Sequence, residues 1–201
     1  MARTGRPRTF DTDEALARAR DLFWSRGYGG TSVQDLVDAL GVERGSLYGA
    51  FGDKRRLYLQ AVELYARLNR EQFETLLATD PVLPTIRQML LDPAALTGAP
   101  ELPGGRRRGC LLGNTAAELL PEDADATKLV AAAYQALVGV LTAALTRAQA
   151  TGEVVDSAAP RAQAEMLLLL FQGSALVNRA QTDRELFGTG IDAALDALRP
   201  R

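Results

Sequence analysis

The sequence contains no histidine. That removes every Ser-His-Asp or Cys-His catalytic arrangement and most zinc sites. It contains one cysteine, Cys110, so no disulfide can form within the chain. Lysine occurs only at Lys54 and Lys128, and neither has a serine at a spacing that suggests serine–lysine chemistry. There is no glycine-rich phosphate loop after a strand, no internal repeat and no convincing strand. The longest apolar candidate, Met166 to Phe171, falls far short of a membrane span. The basic N-terminus leads into no apolar signal region. These absences argue against an enzyme and against a secreted or membrane protein. The expectation is a cytoplasmic protein with no cofactor, no metal and no membrane partner.

What is present favours a helical protein. The 201 residues are 47% hydrophobic, enough to bury a core in one sizeable domain or in a small one joined to a larger one. The net charge of −2 speaks against a protein that coats nucleic acid along its whole length. Its distribution is more informative. Residues 1–60 carry ten Lys/Arg against eight Asp/Glu, and the remainder thirteen against seventeen. Arg3, Arg6 and Arg8 precede the first helix, and Lys54, Arg55 and Arg56 follow residues 31–51. These clusters could meet phosphates on both sides of that stretch; the alternative is ordinary solvated charge.

Residues 31–51 read as two short helices around a tight turn. A hydroxyl of Thr31 or Ser32 can cap the first. Val33, Leu36, Val37 and Leu40 then give it one apolar face. Gly41 ends it, because glycine takes the left-handed conformation at low cost. Leu47 and Phe51 bury one side of the second helix. Arg44, Gly45, Ser46, Tyr48 and Gly49 are left on the other, a short polar face able to approach another surface closely. The pattern fits a helix-turn-helix whose second helix enters the major groove, and equally a plain helical hairpin.

The rest of the chain reads as helix throughout. A first helix runs from an Asp11 or Thr12 cap to about Arg26, stopped by Gly27. Asp53 caps a long helix from Lys54 to about Ala78. The basic first turn of that helix opposes the helix dipole, a conflict that an external phosphate would relieve. A shorter helix covers Leu83 to Leu91. Residues 92–109, rich in Pro and Gly, read as a loop. Helix resumes over Cys110–Leu120, then from Pro121 to about Ala150, from Ser157 or Ala158 to about Ala180, and from Asp183 to Arg199.

Taken together, Ala15-Leu16, Leu22-Phe23-Trp24, Gly27-Tyr28, Thr31-Ser32, Leu36, Gly41-Val42, Gly45-Ser46-Leu47-Tyr48, Phe51 and Lys54 resemble the TetR (tetracycline-repressor-like) family of bacterial transcriptional regulators. The resemblance is strongest over residues 8–60. It implies an all-α fold of about nine helices: a three-helix DNA-binding head with its helix-turn-helix, and a larger C-terminal helical body for ligand binding and dimerisation. The expected limits are a basic arm over 1–9, a head over 10–56 and a body over 57–201. The resemblance implies a homodimeric repressor of a near-palindromic double-stranded DNA operator, released by a small-molecule inducer whose identity the sequence does not give.

Carried over by position, Thr31, Ser32 and Gln34 lie near the DNA at the second helix. Arg44, Gly45 and Ser46 open the recognition helix, and Tyr48 and Lys54 contact phosphates. Elementary chemistry agrees. The Arg44 fork suits guanine O6 and N7, and Gln34 could pair with adenine. The Tyr48 ring is expected against the core with its hydroxyl outward. Gly49 and Ala50 depart from the larger residues often found in the family, so Arg44 is expected to carry a large share of specificity.

In the body, the last two long helices are the expected dimer surface, through Met166, Leu169, Leu170, Gly173, Val177, Ile191, Leu195 and Leu198. The alternative is that these helices fill one protomer's core. Candidates for the inducer pocket are Phe73, Met89, Cys110, Leu111, Asn114, Tyr134, Leu137, Phe171 and Gln172, each of them a core candidate as well. Nothing demands a cationic inducer, and a largely apolar or aromatic one is preferred. Cys110 has a second reading. The segment Arg108–Asn114 resembles a block in a branch of the family where some members sense electrophiles or oxidants through a cysteine. Nearby arginines and a helix N-terminus would favour the thiolate there. The other reading of Cys110 is a small buried apolar residue. A helical protein-interaction module without DNA binding is the remaining alternative.

Overall fold

The computed structural model describes residues 10–92, 107–180 and 187–200. Among them are nine α-helices and no strand. Arg3, Arg6 and Arg8 of the basic arm lie outside the described residues, as do most of the 92–109 loop and Asp183.

The chain divides into two compact units, residues 1–64 and 65–201. In the first unit, α1 (Thr12–Arg26) starts where the Asp11 carboxylate accepts from the Asp13 and Glu14 amides. Its Ala15, Ala19, Phe23 and Trp24 are buried. Helix α2 (Val33–Leu40) begins with a reciprocal capping box between Ser32 and Asp35. The cap is therefore Ser32, not Thr31. Gly41, at φ +67°, makes the left-handed stop. Helix α3 (Arg44–Phe51) follows after Val42 and Glu43, with Leu47 and Phe51 buried. Helix α4 (Lys54–Leu76) starts at Asp53, whose carboxylate accepts from the Arg56 amide at 2.8 Å. The first half of α4 belongs to this unit: Leu57, Tyr58, Ala61 and Val62 are all at most 1% exposed. Phe23 and Tyr28 both pack edge-on against Tyr58, with ring centroids 4.9 Å apart in each pair.

The second unit contains the rest of α4 with α5 (Val82–Leu91), α6 (Leu111–Leu119), α7 (Ala124–Ala150), α8 (Pro160–Val177) and α9 (Gly188–Asp196). Helix α7 starts at Ala124, not at Pro121, because Asp123 supplies the cap, accepting from the Asp125 and Ala126 amides. Helix α8 packs along α7, which also supports α6, while α9 lies against α5. Glu153, beyond the end of α7, accepts from the Val82 and Leu83 amides and satisfies two orphan donors at the start of α5.

Helix α7 corrects one expectation from the sequence. By length and composition it is apolar enough to cross a membrane. The unbroken run at 166–171 is more conspicuous, yet hydropathy averaged along the alanine-rich α7 is what reaches the spanning range. Its Val130, Leu137, Leu141 and Leu145 are at most 2% exposed, as in the core helix of a helical bundle.

Candidate functional site

Three surfaces carry the candidate residues: the outer face of α3, a cavity in the body, and the outer faces of α8 and α9.

On α3, the burial of Leu47 and Phe51 turns Arg44, Gly45, Ser46, Tyr48, Gly49 and Ala50 outward, all of them exposed. Arg44 and Tyr48, one turn apart, act as a pair. An Arg44 Nη2–H donates to the Tyr48 hydroxyl at 3.2 Å, and the guanidinium carbon lies 5.5 Å from the ring centroid. Tyr48 is 37% exposed, with Arg44 over one face of its ring. A Cβ added at Gly45 or Gly49 would meet no atom within 4 Å. These two glycines therefore leave a trough without side chains beside the Arg44–Tyr48 ridge, and nothing inside the protein requires them.

The flanking candidates separate into two kinds. Ser32 and Gln34 are exposed. The Gln34 side-chain N–H donates to Asp38 at 2.8 Å, a contact it must exchange to reach a base. Thr31 is different: it is fully buried and its hydroxyl donates to the Gly27 carbonyl at 2.7 Å. The structure thus corrects Thr31 from a DNA contact to a residue that fixes the α1–α2 loop. The Ser32 side chain and backbone, and then Arg26, hold the Asp35 carboxyl below its ordinary value. Lys54 is half-buried at the N-terminus of α4, its ammonium 4.2 Å from the Tyr28 ring centroid. That ring face partly offsets the dipole's repulsion of the cation and fixes its position.

The body contains a small cavity of about 40 Å³, partly open to solvent. Tyr65, Asn69 and Phe73 line it from α4, Leu137 from α7, and Leu168, Phe171, Gln172 and Ala175 from α8; Gly109 and Cys110 close one side. Phe73 and Phe171 form an aromatic wall, with ring centroids 5.1 Å apart. Of the candidates, Phe73, Cys110, Leu137, Phe171 and Gln172 reach the cavity. Tyr134 stands behind it, its hydroxyl donating to the Gln172 side-chain carbonyl at 3.2 Å. Met89 and Leu111 are instead buried core residues, 2% and 0% exposed. Asn114 is committed elsewhere: its amide donates to the Arg108 carbonyl and accepts from Arg179. Tyr65, Asn69, Leu168 and Ala175 were not among the candidates. Their signal is the one-face spacing of 65, 69 and 73 on α4 and of 168, 171, 172 and 175 on α8.

Cys110 caps the start of α6 and is half-buried. Its sulfur accepts from the Tyr65 hydroxyl and the Gln172 amide, each at 3.7 Å. Burial above all, and then the neighbouring Cys110, push the Tyr65 phenol well above its usual range. The partners of the thiol are neutral, and the reading of Cys110 as an electrophile or oxidant sensor is not favoured; Cys110 is part of the cavity wall.

On α8, Met166, Leu169 and Leu176 are 37%, 73% and 67% exposed. With Ala162 and Gly173 they form one stripe in alternating steps of four and three residues, exposed along its length. Leu170 and Val177 flank it, half-buried. The α9 candidates are corrected. Ile191, Leu195 and Leu198 are 9%, 2% and 4% exposed, so they fill their own protomer's core. The outward residues of α9 are small or polar: Thr189, Gly190, Ala193 and Asp196.

Residues 15–61 match the family model described as bacterial regulatory proteins, tetR family, and residues 89–194 match the tetracyclin repressor-like C-terminal domain. The chain belongs to the TetR family. It is a DNA-binding transcriptional regulator. Among its relatives, the HTH-type transcriptional regulator YezE of Bacillus subtilis is 35% identical over 151 residues, 75% of this chain and 76% of that one. The HTH-type transcriptional repressor ComR of Escherichia coli is 29% identical over 175 residues, 87% of this chain and 82% of ComR. A cysteine mutant of the TetR family regulator CifR, solved in complex with a 26-base-pair operator, superposes with a TM-score of 0.77 at 26% identity. That superposition covers 96% of this chain and 100% of CifR. In TetR terms, α2 and α3 are the helix-turn-helix, and the second half of α4 with α5 to α9 makes up the body.

Proposed function

We propose that this protein is a homodimeric transcriptional repressor that binds a near-palindromic operator through α3 and leaves it when a small molecule occupies the cavity of the body. The observation that carries the reading is the outer face of α3. It faces outward, it carries Arg44, Ser46 and Tyr48, and beside them lies a trough that no internal contact explains. Arg44 reads a base edge, with guanine the best match to its fork. Ser46 and Gln34 assist it. Tyr48 and Lys54 take phosphates, and a phosphate at Lys54 completes the anion site at the start of α4. The basic arm over 1–9 adds further phosphate contacts.

The α8 stripe supplies the two-fold contact, since so many large apolar side chains on one face of a helix call for a cover. Gly173 in the stripe, with Gly190 and Ala193 on α9, lets copies approach closely. A two-fold pair sets the recognition helices about one DNA turn, roughly 34 Å, apart. A molecule in the cavity shifts the population toward a spacing that no longer fits both half-sites. The protein works in the cytoplasm, where its operator is, and catalyses no reaction of its own.

The test is fluorescence anisotropy of the purified protein with the DNA that flanks its own gene, against unrelated duplex, at two salt concentrations. Tight binding that survives competitor supports the reading. Weak, equal and steeply salt-dependent binding to both duplexes places the operator elsewhere. No binding even at low salt refutes the reading.

A further inference from the structure

Asn69 lies on the cavity-facing side of α4, one turn from Tyr65 and one from Phe73. It is only 8% exposed. Among the described residues its side-chain amide has no hydrogen-bond partner, although the amide is not sealed off and opens onto the empty space. An amide recessed in this way can be met only by a water or a ligand that enters the cavity, which makes it a marker of a binding position.

The surrounding wall narrows the chemistry. Among the described residues no lining side chain is charged at neutral pH, although Arg179 packs against Gly109 at the edge: the lining is apolar and aromatic except for Tyr65, Asn69, Cys110 and Gln172. A carboxylate or an ammonium entering it would lose its hydration and gain no counter-charge. The polar groups are also unbalanced. The Tyr65 hydroxyl and the Gln172 amide both donate to the Cys110 sulfur, a weak acceptor, and the Gln172 carbonyl is taken by Tyr134. What stays unmet is the Asn69 amide, with two N–H donors and one oxygen, and the second N–H of Gln172, so free donors outnumber free acceptors. A ligand oxygen would meet the donors in excess.

We propose that the cavity binds a small neutral molecule whose apolar body packs against Phe73, Leu168 and Phe171 and whose carbonyl oxygen accepts a hydrogen bond from the Asn69 amide. This rests on the reading of the body as the effector-binding unit, and it names the class of effector.

The experiment uses the full-length protein and four single-ring probes: acetophenone, toluene, benzoate and benzylammonium. Each is titrated by calorimetry in the absence of DNA. Acetophenone is expected to bind at least about tenfold more tightly than the other three. In Asn69→Leu its advantage over toluene disappears. The free variant also melts about 2–4 °C higher, because an unpaired buried amide has been replaced by an apolar group of similar size. Should that variant fail to fold, Asn69→Ser, which withdraws the amide, is expected to lose the same advantage. The proposal is overturned if a charged probe binds as well as the ketone. It is equally overturned if none of the four binds, or if the advantage of the ketone survives both substitutions. Operator binding, read separately by anisotropy, distinguishes the two levels. Ketone binding without operator release counts against the effector role of the body and leaves the site standing; loss of operator binding in the untreated protein counts against the repressor reading alone.

Discussion

The outer face of α3 and the cavity beside α4 both carry polar groups that the fold leaves partly unmet, but they carry them in opposite surroundings. Arg44, Ser46 and Tyr48 stand in water, where an unmet donor costs little and a charge is well solvated. Asn69 is buried, where a missing partner costs much more. A surface for DNA must be wet and cationic, since its partner is a polyanion whose counterions are released on contact. A cavity for a small neutral molecule must be dry, since burial of apolar surface supplies most of the binding. The two regions therefore respond differently to the same kind of change. Substitutions on the head alter recognition and leave folding nearly intact, whereas substitutions in the cavity alter both together.

The comparison can be strained at several points. The largest effect is expected from the contact that makes the two heads act as one. Leu169→Asp places a charge in the exposed stripe of α8. It should convert the dimer to monomer in analytical ultracentrifugation and reduce operator affinity by more than about a hundredfold, because each head then binds one half-site alone. Monomer with undiminished affinity would remove α8 from the account. Lys54→Ala should follow, with about a tenfold loss on every duplex tested and a salt slope shallower by about one. It also gives up the Tyr28 contact, so its melting temperature should be recorded beside the affinity. The smallest effect is expected at Gly49, whose Cβ position is open. Gly49→Ala should stabilise the free protein by up to about 1 kcal/mol through helix propensity alone, read from denaturant midpoints. A loss of stability would mean that the α3 trough serves the fold after all.

The same contrast explains what the sequence disclosed. The head was legible almost residue by residue. Its elements are set by local signals: the Asp11 cap, the Ser32–Asp35 box, the left-handed Gly41 and the Leu47–Phe51 spacing. Its partner has the same charged backbone in every operator, so the residue types that meet it recur in a recognisable pattern. Thr31 was misread because Thr and Ser are both good caps, and only the three-dimensional loop shows which hydroxyl turns inward to Gly27.

The body was legible as a set of helices but not as a site. Met89 and Leu111 have the composition of pocket residues and sit in the core; Asn69 sits in the cavity wall and looks from the sequence like any polar helix residue. On α9 the large residues Ile191, Leu195 and Leu198 suggest an interface by hydrophobicity. A short helix on α5 must first bury those residues in its own core, and this leaves small and polar ones outside. Which face a terminal helix turns outward depends on its neighbours, and periodicity alone does not supply that.

The central claim is that Arg44 on α3 leads the reading of the operator sequence while Tyr48 and Lys54 hold the backbone. The most direct test is a parallel titration of the native protein and Arg44→Ala against operator and unrelated duplex at one salt concentration. The account predicts that Arg44→Ala loses about ten- to a hundredfold on the operator, keeps most of its affinity for unrelated DNA, and so loses its preference. Equal losses on both duplexes would reduce Arg44 to a phosphate contact, and no loss on either would contradict the assignment of α3 as the reading helix.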